Sequence, residues 1–151
     1  MKRLPAFLVL ILVLVFVSSA LAQSVTCVPG GFSLTLPDHF SPIQDARQDD
    51  DLCFAWHSKA LTIYGYATDM GRKLRAEDLF QVLNGTETDY GTLTINGQDM
   101  LYARGKDDQG AYALYSWMNG STNVSLYFYY NAKNKNALLD IDDIIHSLSL
   151  I

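Results

Sequence analysis

The sequence predicts an α+β sandwich, a mainly antiparallel sheet of about seven strands packed with two amphipathic helices. Three observations predict it. Short runs with alternating apolar residues recur along most of the chain, two connections between them contain Asn-Gly, and two stretches switch to helical spacing.

The elements follow in order. Gly30-Gly31 opens the domain, and Phe32, Leu34 and Leu36 alternate with Ser33 and Thr35 until Pro37 ends the strand. Residues 41–51 are turn-rich and acidic and read as a loop. Leu52 to Lys59 reads as a second strand, with Leu52, Phe54 and Trp56 on one face and Cys53, Ala55 and His57 on the other. Leu61 to Ala67 is a third strand, close enough to the second to form a hairpin. From Arg75 the period changes. Leu79, Val82 and Leu83 fall at helical spacing behind Glu77 and Asp78, and Asn84-Gly85 supplies a stop. Strands then return at 91–95 and 99–105, flanking Asn96-Gly97, and at 111–118 and 123–130, flanking Asn119-Gly120. A last helix is expected from the spacing of Leu138, Ile141, Ile145 and Leu148, with Asn136 as its cap and Asp140, Asp142 and Asp143 toward its positive end.

The first residues read as an export signal. Lys2 and Arg3 precede an unbroken apolar run over 6–17, and Ala20-Leu21-Ala22 places small residues before a cleavage at Gln23. Twelve apolar residues fall short of the ~20 that a spanning helix needs, so a tethered, uncleaved form is the runner-up. The chain then divides into a cleaved signal over 1–22, an N-terminal segment over 23–30 and one globular domain over 31–151. The 151 residues carry 11 basic and 16 acidic side chains for a net charge of −5, which becomes −7 once Lys2 and Arg3 leave with the signal. That balance argues against nucleic acid and anionic membrane surfaces, because phosphate binding needs clustered Lys and Arg. A soluble protein outside the cytoplasm is expected, with no membrane contact after cleavage.

The segment Phe32-Ser33-Leu34-Thr35-Leu36-Pro37-Asp38-His39-Phe40 resembles the opening strand of the PsbP-like family. The close of the chain, Asp143-Ile144-Ile145-His146-Ser147-Leu148, is similar to that family's terminal helix. The resemblance implies a compact antiparallel sheet between helices over residues 31–151, and an accessory or binding role more than catalysis. It carries over no functional residue.

The common catalytic signatures are absent. There is no G-x-S-x-G, H-E-x-x-H or G-x-G-x-x-G, and no C-x-x-C pair. No cofactor is expected. His39, His57 and His146 have no metal-ligand spacing, and each has a simpler reading as a turn, strand or solvated helix residue. Asp45, Asp49, Asp50 and Asp51 crowd one loop and offer hard oxygen ligands to calcium, but the alternate spacing and central Gly of a calcium loop are missing. Tyr115, Trp117, Tyr127 and Tyr129 share a parity opposite Leu114, Met118, Leu126 and Phe128, so they are candidates for an aromatic binding patch. The competing reading covers this face as a second core layer. Asn84, Asn119 and Asn123 each begin a glycosylation sequon, relevant only in a eukaryotic secretory pathway.

Cys27 and Cys53 are the only cysteines, and in an exported protein an even pair predicts one structural disulfide closing a 27-residue loop. The sequence thus predicts a secreted, non-catalytic binding or accessory protein. Its partner is an extracellular or envelope protein or a small ligand. The alternative is a small secreted hydrolase that uses His57 or His39 with an Asp.

Overall fold

A computed structural model describes residues 22–46, 49–72, 85–108 and 110–151. Ten strands and one helix occur among them: β1 (Gln23–Cys27), β2 (Phe32–Leu36), β3 (Ser41–Pro42), β4 (Leu52–His57), β5 (Leu61–Asp69), β6 (Glu87–Ile95), β7 (Gln98–Asp107), β8 (Gly110–Asn119), β9 (Thr122–Tyr130), α1 (Lys135–His146) and β10 (Ser149–Leu150). The large sheet has the order β3-β4-β5-β9-β8-β7-β6, and β1-β2-β10 forms a small one. Every pairing is antiparallel. The export segment and the first expected helix, over 75–83, fall outside the described residues.

The α+β class holds, and all seven expected strands form. The grouping differs. The strand at 32–36 does not join the large sheet; it pairs with β1 on one side and β10 on the other. Residues 23–27, read as a lead-in to the domain, are therefore a strand of it. The seventh strand of the large sheet is β3, in the segment read as loop. It is only two residues long, and its Pro42 suits an edge, where a missing N–H breaks no ladder.

One face of the large sheet packs against the small sheet and α1. Phe32 of β2 lies edge-on to Trp117 of β8 at 5.2 Å and to Phe54 of β4 at 6.2 Å. Around them are buried Leu34, Leu36, Ile63, Leu126 and Phe128, with Ile141, Ile144 and Ile145 of the helix. Burying this much apolar surface at about 25 cal/mol per Å² is the main stabilising term.

The helix begins two residues earlier than expected. Asn134, with extended backbone, is the cap, and its side chain accepts from the Asn136 N–H at 3.1 Å. The first turn holds no acid, and Leu138 is exposed while Ala137 and Ile144 are buried. At the other end the Ser147 hydroxyl donates to the Ile144 carbonyl at 2.7 Å and accepts from the Thr35 N–H at 2.8 Å, tying the helix to β2.

The Asn96-Gly97 hairpin forms as read. Ile95 pairs with Gln98, and the two loop residues have φ of 50° and 80°, the left-handed values that a type I′ turn requires. The second hairpin closes one residue later than expected. Asn119 pairs with Thr122, so the loop is Gly120-Ser121 and Asn119 ends the strand. The Asn119 side chain instead donates to the Gly30 carbonyl at 3.0 Å, joining the large sheet to the small one.

In β4 a bulge between Leu52 and Phe54 breaks the simple alternation. Phe54 and Trp56 turn inward as expected, but Leu52 does not share their face. The extra residue, Cys53, forms the predicted disulfide with buried Cys27, the two Cα atoms lying 5.6 Å apart.

Candidate functional site

The outer face of the large sheet, opposite the small sheet, is where the tyrosines collect. In β5 the residues Tyr64, Gly65 and Tyr66 alternate faces, and Gly65 takes the inner one under the ring of Phe54. Leu61 pairs with Tyr130 and Asp69 with Thr122, so even-numbered residues of β5 share a face with odd-numbered residues of β9. Two Tyr-x-Tyr segments thereby meet. Tyr64 faces Tyr127 directly, and the diagonal neighbours pair edge-to-face: Tyr66 with Tyr127 at 5.8 Å, and Tyr64 with Tyr129 at 6.2 Å.

These four rings line an open groove of about 570 Å³ together with Asp49, Asp51, Thr68, Asn123 and Ser125. Its floor is rigid. The Asn123 Nδ2 donates to Ser116 Oγ at 2.9 Å, the Ser116 hydroxyl donates to the Val124 carbonyl at 3.1 Å, and the Ser125 hydroxyl donates to Asn123 Oδ1 at 3.1 Å. One wall is held by the Thr68 hydroxyl, which donates to Asp51 Oδ2 at 3.0 Å. By contrast, none of the four phenol hydroxyls bonds to a described residue. Burial pushes the phenols of Tyr66, Tyr127 and Tyr129 above their ordinary range; neighbouring phenols add to this in all three, Asp49 at Tyr66 and Asp107 at Tyr129. At pH 7 the groove therefore presents the neutral phenols of Tyr66, Tyr127 and Tyr129, bonded to no described residue, beside two carboxylates. Past Tyr129 the surface changes sign, and a second depression is bordered by Lys59, Lys106 and Lys133.

Tyr115, Trp117, Tyr127 and Tyr129 do not form one patch. A two-residue hairpin pairs residues whose numbers sum to an odd value, as Tyr115 with Leu126 and Trp117 with Val124, so odd positions of β8 share a face with even positions of β9. Tyr115 and Trp117 are buried in the inner core, 4% and 1% exposed, and only Tyr127 and Tyr129 reach the outer face. The sequence reading missed Tyr64 and Tyr66. Their signal was a Tyr-x-Tyr at strand periodicity matching the one in β9. The second-core-layer reading holds for part of the outer face, where Leu101, Ala103 and Leu114 of β7 and β8 are buried, and the β5–β9 part is the open groove.

Asp45, Asp49, Asp50 and Asp51 do not converge. Among the described residues no three His, Cys, Asp or Glu side chains gather as metal ligands. Asp49 and Asp51 enter the tyrosine groove instead.

Of the histidines, His39 bears most on catalysis. Its Nε2 lies 3.1 Å from Asp140 Oδ2, and its Nδ1 lies 3.9 Å from Asp38 Oδ1. Ser58 borders the same depression, but its hydroxyl accepts from the N–H groups of Ala60 and Leu61 at 3.1 and 3.2 Å. Among the described residues the His39 ring bonds to Asp140, and no serine or cysteine bonds to it. His57 is exposed at the end of β4. His146 Nδ1 lies 2.8 Å from the Asp142 carbonyl on the solvent side of α1.

Two of the three sequon asparagines spend their amides within the fold. The amide nitrogens of Asn119 and Asn123 are the donors to Gly30 and Ser116 described above, and Asn84 is outside the described residues. No described helix is long and apolar enough to cross a membrane.

No protein-family model and no curated protein matches the chain. Solved structures do. The solution structure of cyanobacterial PsbP (CyanoP) from Synechocystis sp. PCC 6803 superposes with a TM-score of 0.66 at 9% identity, over 90% of this chain and 96% of that one. A Bacteroides thetaiotaomicron VPI-5482 protein superposes at 0.57 with 15% identity, over 85% of this chain and 48% of that one. At such identities the likeness speaks for the fold alone, and the fold of this chain is PsbP-like.

Proposed function

We propose that the protein is an exported, non-catalytic binding or accessory protein that holds its partner or ligand in the tyrosine groove of β5 and β9. The observation that carries this reading is the groove itself: four half-buried rings whose hydroxyls bond to no described residue, over a floor whose polar groups are already satisfied. Tyrosines that only fill space bury their hydroxyls against an acceptor, whereas a recognition surface leaves them available. The PsbP-like fold suits an accessory or binding role. The Cys27–Cys53 disulfide fits an extracytoplasmic location, because such bonds persist where the surroundings are oxidising. The apolar run at 6–17 supplies the export route.

The test is a nitrogen-15 NMR titration of the exported protein with a mixed panel of peptides, sugars and small organic ions. Shifts concentrated on β5 and β9 support the reading. Shifts confined to other surfaces, or none with any probe, overturn it. Hydrolysis of a chromogenic ester that disappears with His39→Ala would replace it with the hydrolase alternative.

A further inference from the structure

Resting on the groove as the binding site, we propose that its occupant is a Lys- or Arg-bearing extended segment of a partner protein, with the cationic side chain lodged between the Asp49 and Asp51 carboxylates and the rings of Tyr66 and Tyr127. The chemistry is complementary at each point. A ring face attracts a cation within about 6 Å of its centre, and a guanidinium stacks on it as well. A carboxylate pair supplies the matching charge. Asp51 is already oriented by Thr68, so ordering it on binding costs little rotamer freedom. None of the described residues lining the groove is basic, and the lysines lie beyond Tyr129 at its far end. The local field is thus negative where the rings are, consistent with a whole-chain charge of −5. An anionic ligand would meet two carboxylates, and none of the described lining residues carries a positive charge to offset them.

The shape favours a segment over a free small molecule. Small-molecule sites enclose most of their ligand, but this groove is open along a flat antiparallel face. Rows of alternate side chains at strand spacing match the alternate side chains of an extended peptide. The phenol O–H groups, which bond to no described residue, can donate to its backbone carbonyls.

The experiment is calorimetric titration of the disulfide-intact protein with three blocked nonapeptides that alternate glycine with arginine, glutamate or serine, and with free arginine and methyl glucoside. The arginine peptide is expected to bind, more tightly than free arginine, and to weaken about tenfold or more between 20 and 200 mM salt. Asp49→Asn with Asp51→Asn should weaken it about tenfold, and Tyr66→Leu about fivefold. Unchanged melting temperatures would establish that these substitutions leave the fold intact. Binding of the glutamate or serine peptide or the glucoside as tightly as the arginine peptide overturns the cationic class while leaving the groove as a site. Arginine-peptide binding unaffected by all three substitutions overturns the placement. Free arginine equalling the peptide overturns the extended segment. Silence from every probe overturns both the inference and the groove reading beneath it.

Discussion

Trp117 presents its edge to Phe32 and is 1% exposed, yet its buried indole N–H has no hydrogen-bond partner among the described residues. Two opposing costs follow. Truncation to alanine opens a cavity beside Phe32 and should destabilise by about 3–5 kcal/mol. Phenylalanine fills much of the same space and removes the orphaned donor, whose burial costs about 1–3 kcal/mol. Trp117→Phe is therefore expected to cost far less than Trp117→Ala in urea unfolding; equal losses would mean that ring volume alone decides. The disulfide acts through the unfolded chain. A bridge between positions 26 apart in sequence reduces unfolded-state entropy by about 3.5 kcal/mol at most, less whatever residual structure the denatured chain retains. Replacing both cysteines with serine should lower unfolding free energy by about 2–3.5 kcal/mol, and reduction of the native protein should lower its melting temperature by the matching amount.

At the scale of elements, β4 and β5 are locked by a glycine. A Cβ built on Gly65 would overlap the ring of Phe54, so the ring occupies the space a side chain would need. Gly65→Ala must displace Phe54 from the core and should cost about 1–3 kcal/mol. Combined with Phe54→Ala the cost should be clearly less than additive, because the clash is gone; additive losses in the double-mutant cycle would mean that the two residues are independent. Seven of the ten described strands were readable from the sequence because one face of each is apolar, but facing relations were not. Whether Tyr127 lies beside Tyr115 or opposite it depends on the exact closing pair of the hairpin, and one residue of loop shift or a bulge such as that at Cys53 inverts a face. The missed cap has a similar origin. Asn131, Asn134 and Asn136 are all plausible caps by type, and only Asn134 combines extended backbone with a side chain reaching the Asn136 N–H. The groove was legible in part: Asp49, Asp51, Tyr127 and Tyr129 were each singled out, on different grounds. What joined them was the long-range β5–β9 pairing, which local sequence does not encode.

Across the whole molecule, pH reports on how tightly the tyrosines are held. Burial is the leading cause raising the phenols of Tyr66, Tyr112, Tyr127, Tyr129 and Tyr130 above 10.0. A raised value means that the folded state holds its proton more tightly than the unfolded chain does. Between neutrality and about pH 10 both states keep these protons, and the stability they permit is fully present. As pH rises through the unfolded and then the folded values, the unfolded chain ionises first and stability falls. Net charge acts in the same direction, because a chain already at −5 becomes more negative and repels itself. At the acid end the sign reverses: the Gly71 N–H and the Ser121 hydroxyl hold the Asp69 carboxyl below its ordinary value, and that contribution is lost as pH falls through the carboxylate range. Melting temperature is therefore expected to be level from about pH 5 to 9 and to fall on both sides, more steeply above pH 10. The tyrosinate absorbance of the folded protein near 295 nm should lag that of the urea-unfolded chain. Tyr127→Phe removes one of the late-ionising groove phenols, so it should reduce both the lag and the alkaline slope. Coincident titration curves for the folded and unfolded protein would show that the groove rings are as solvated as free tyrosine, and would remove the physical basis for treating them as a preorganised surface.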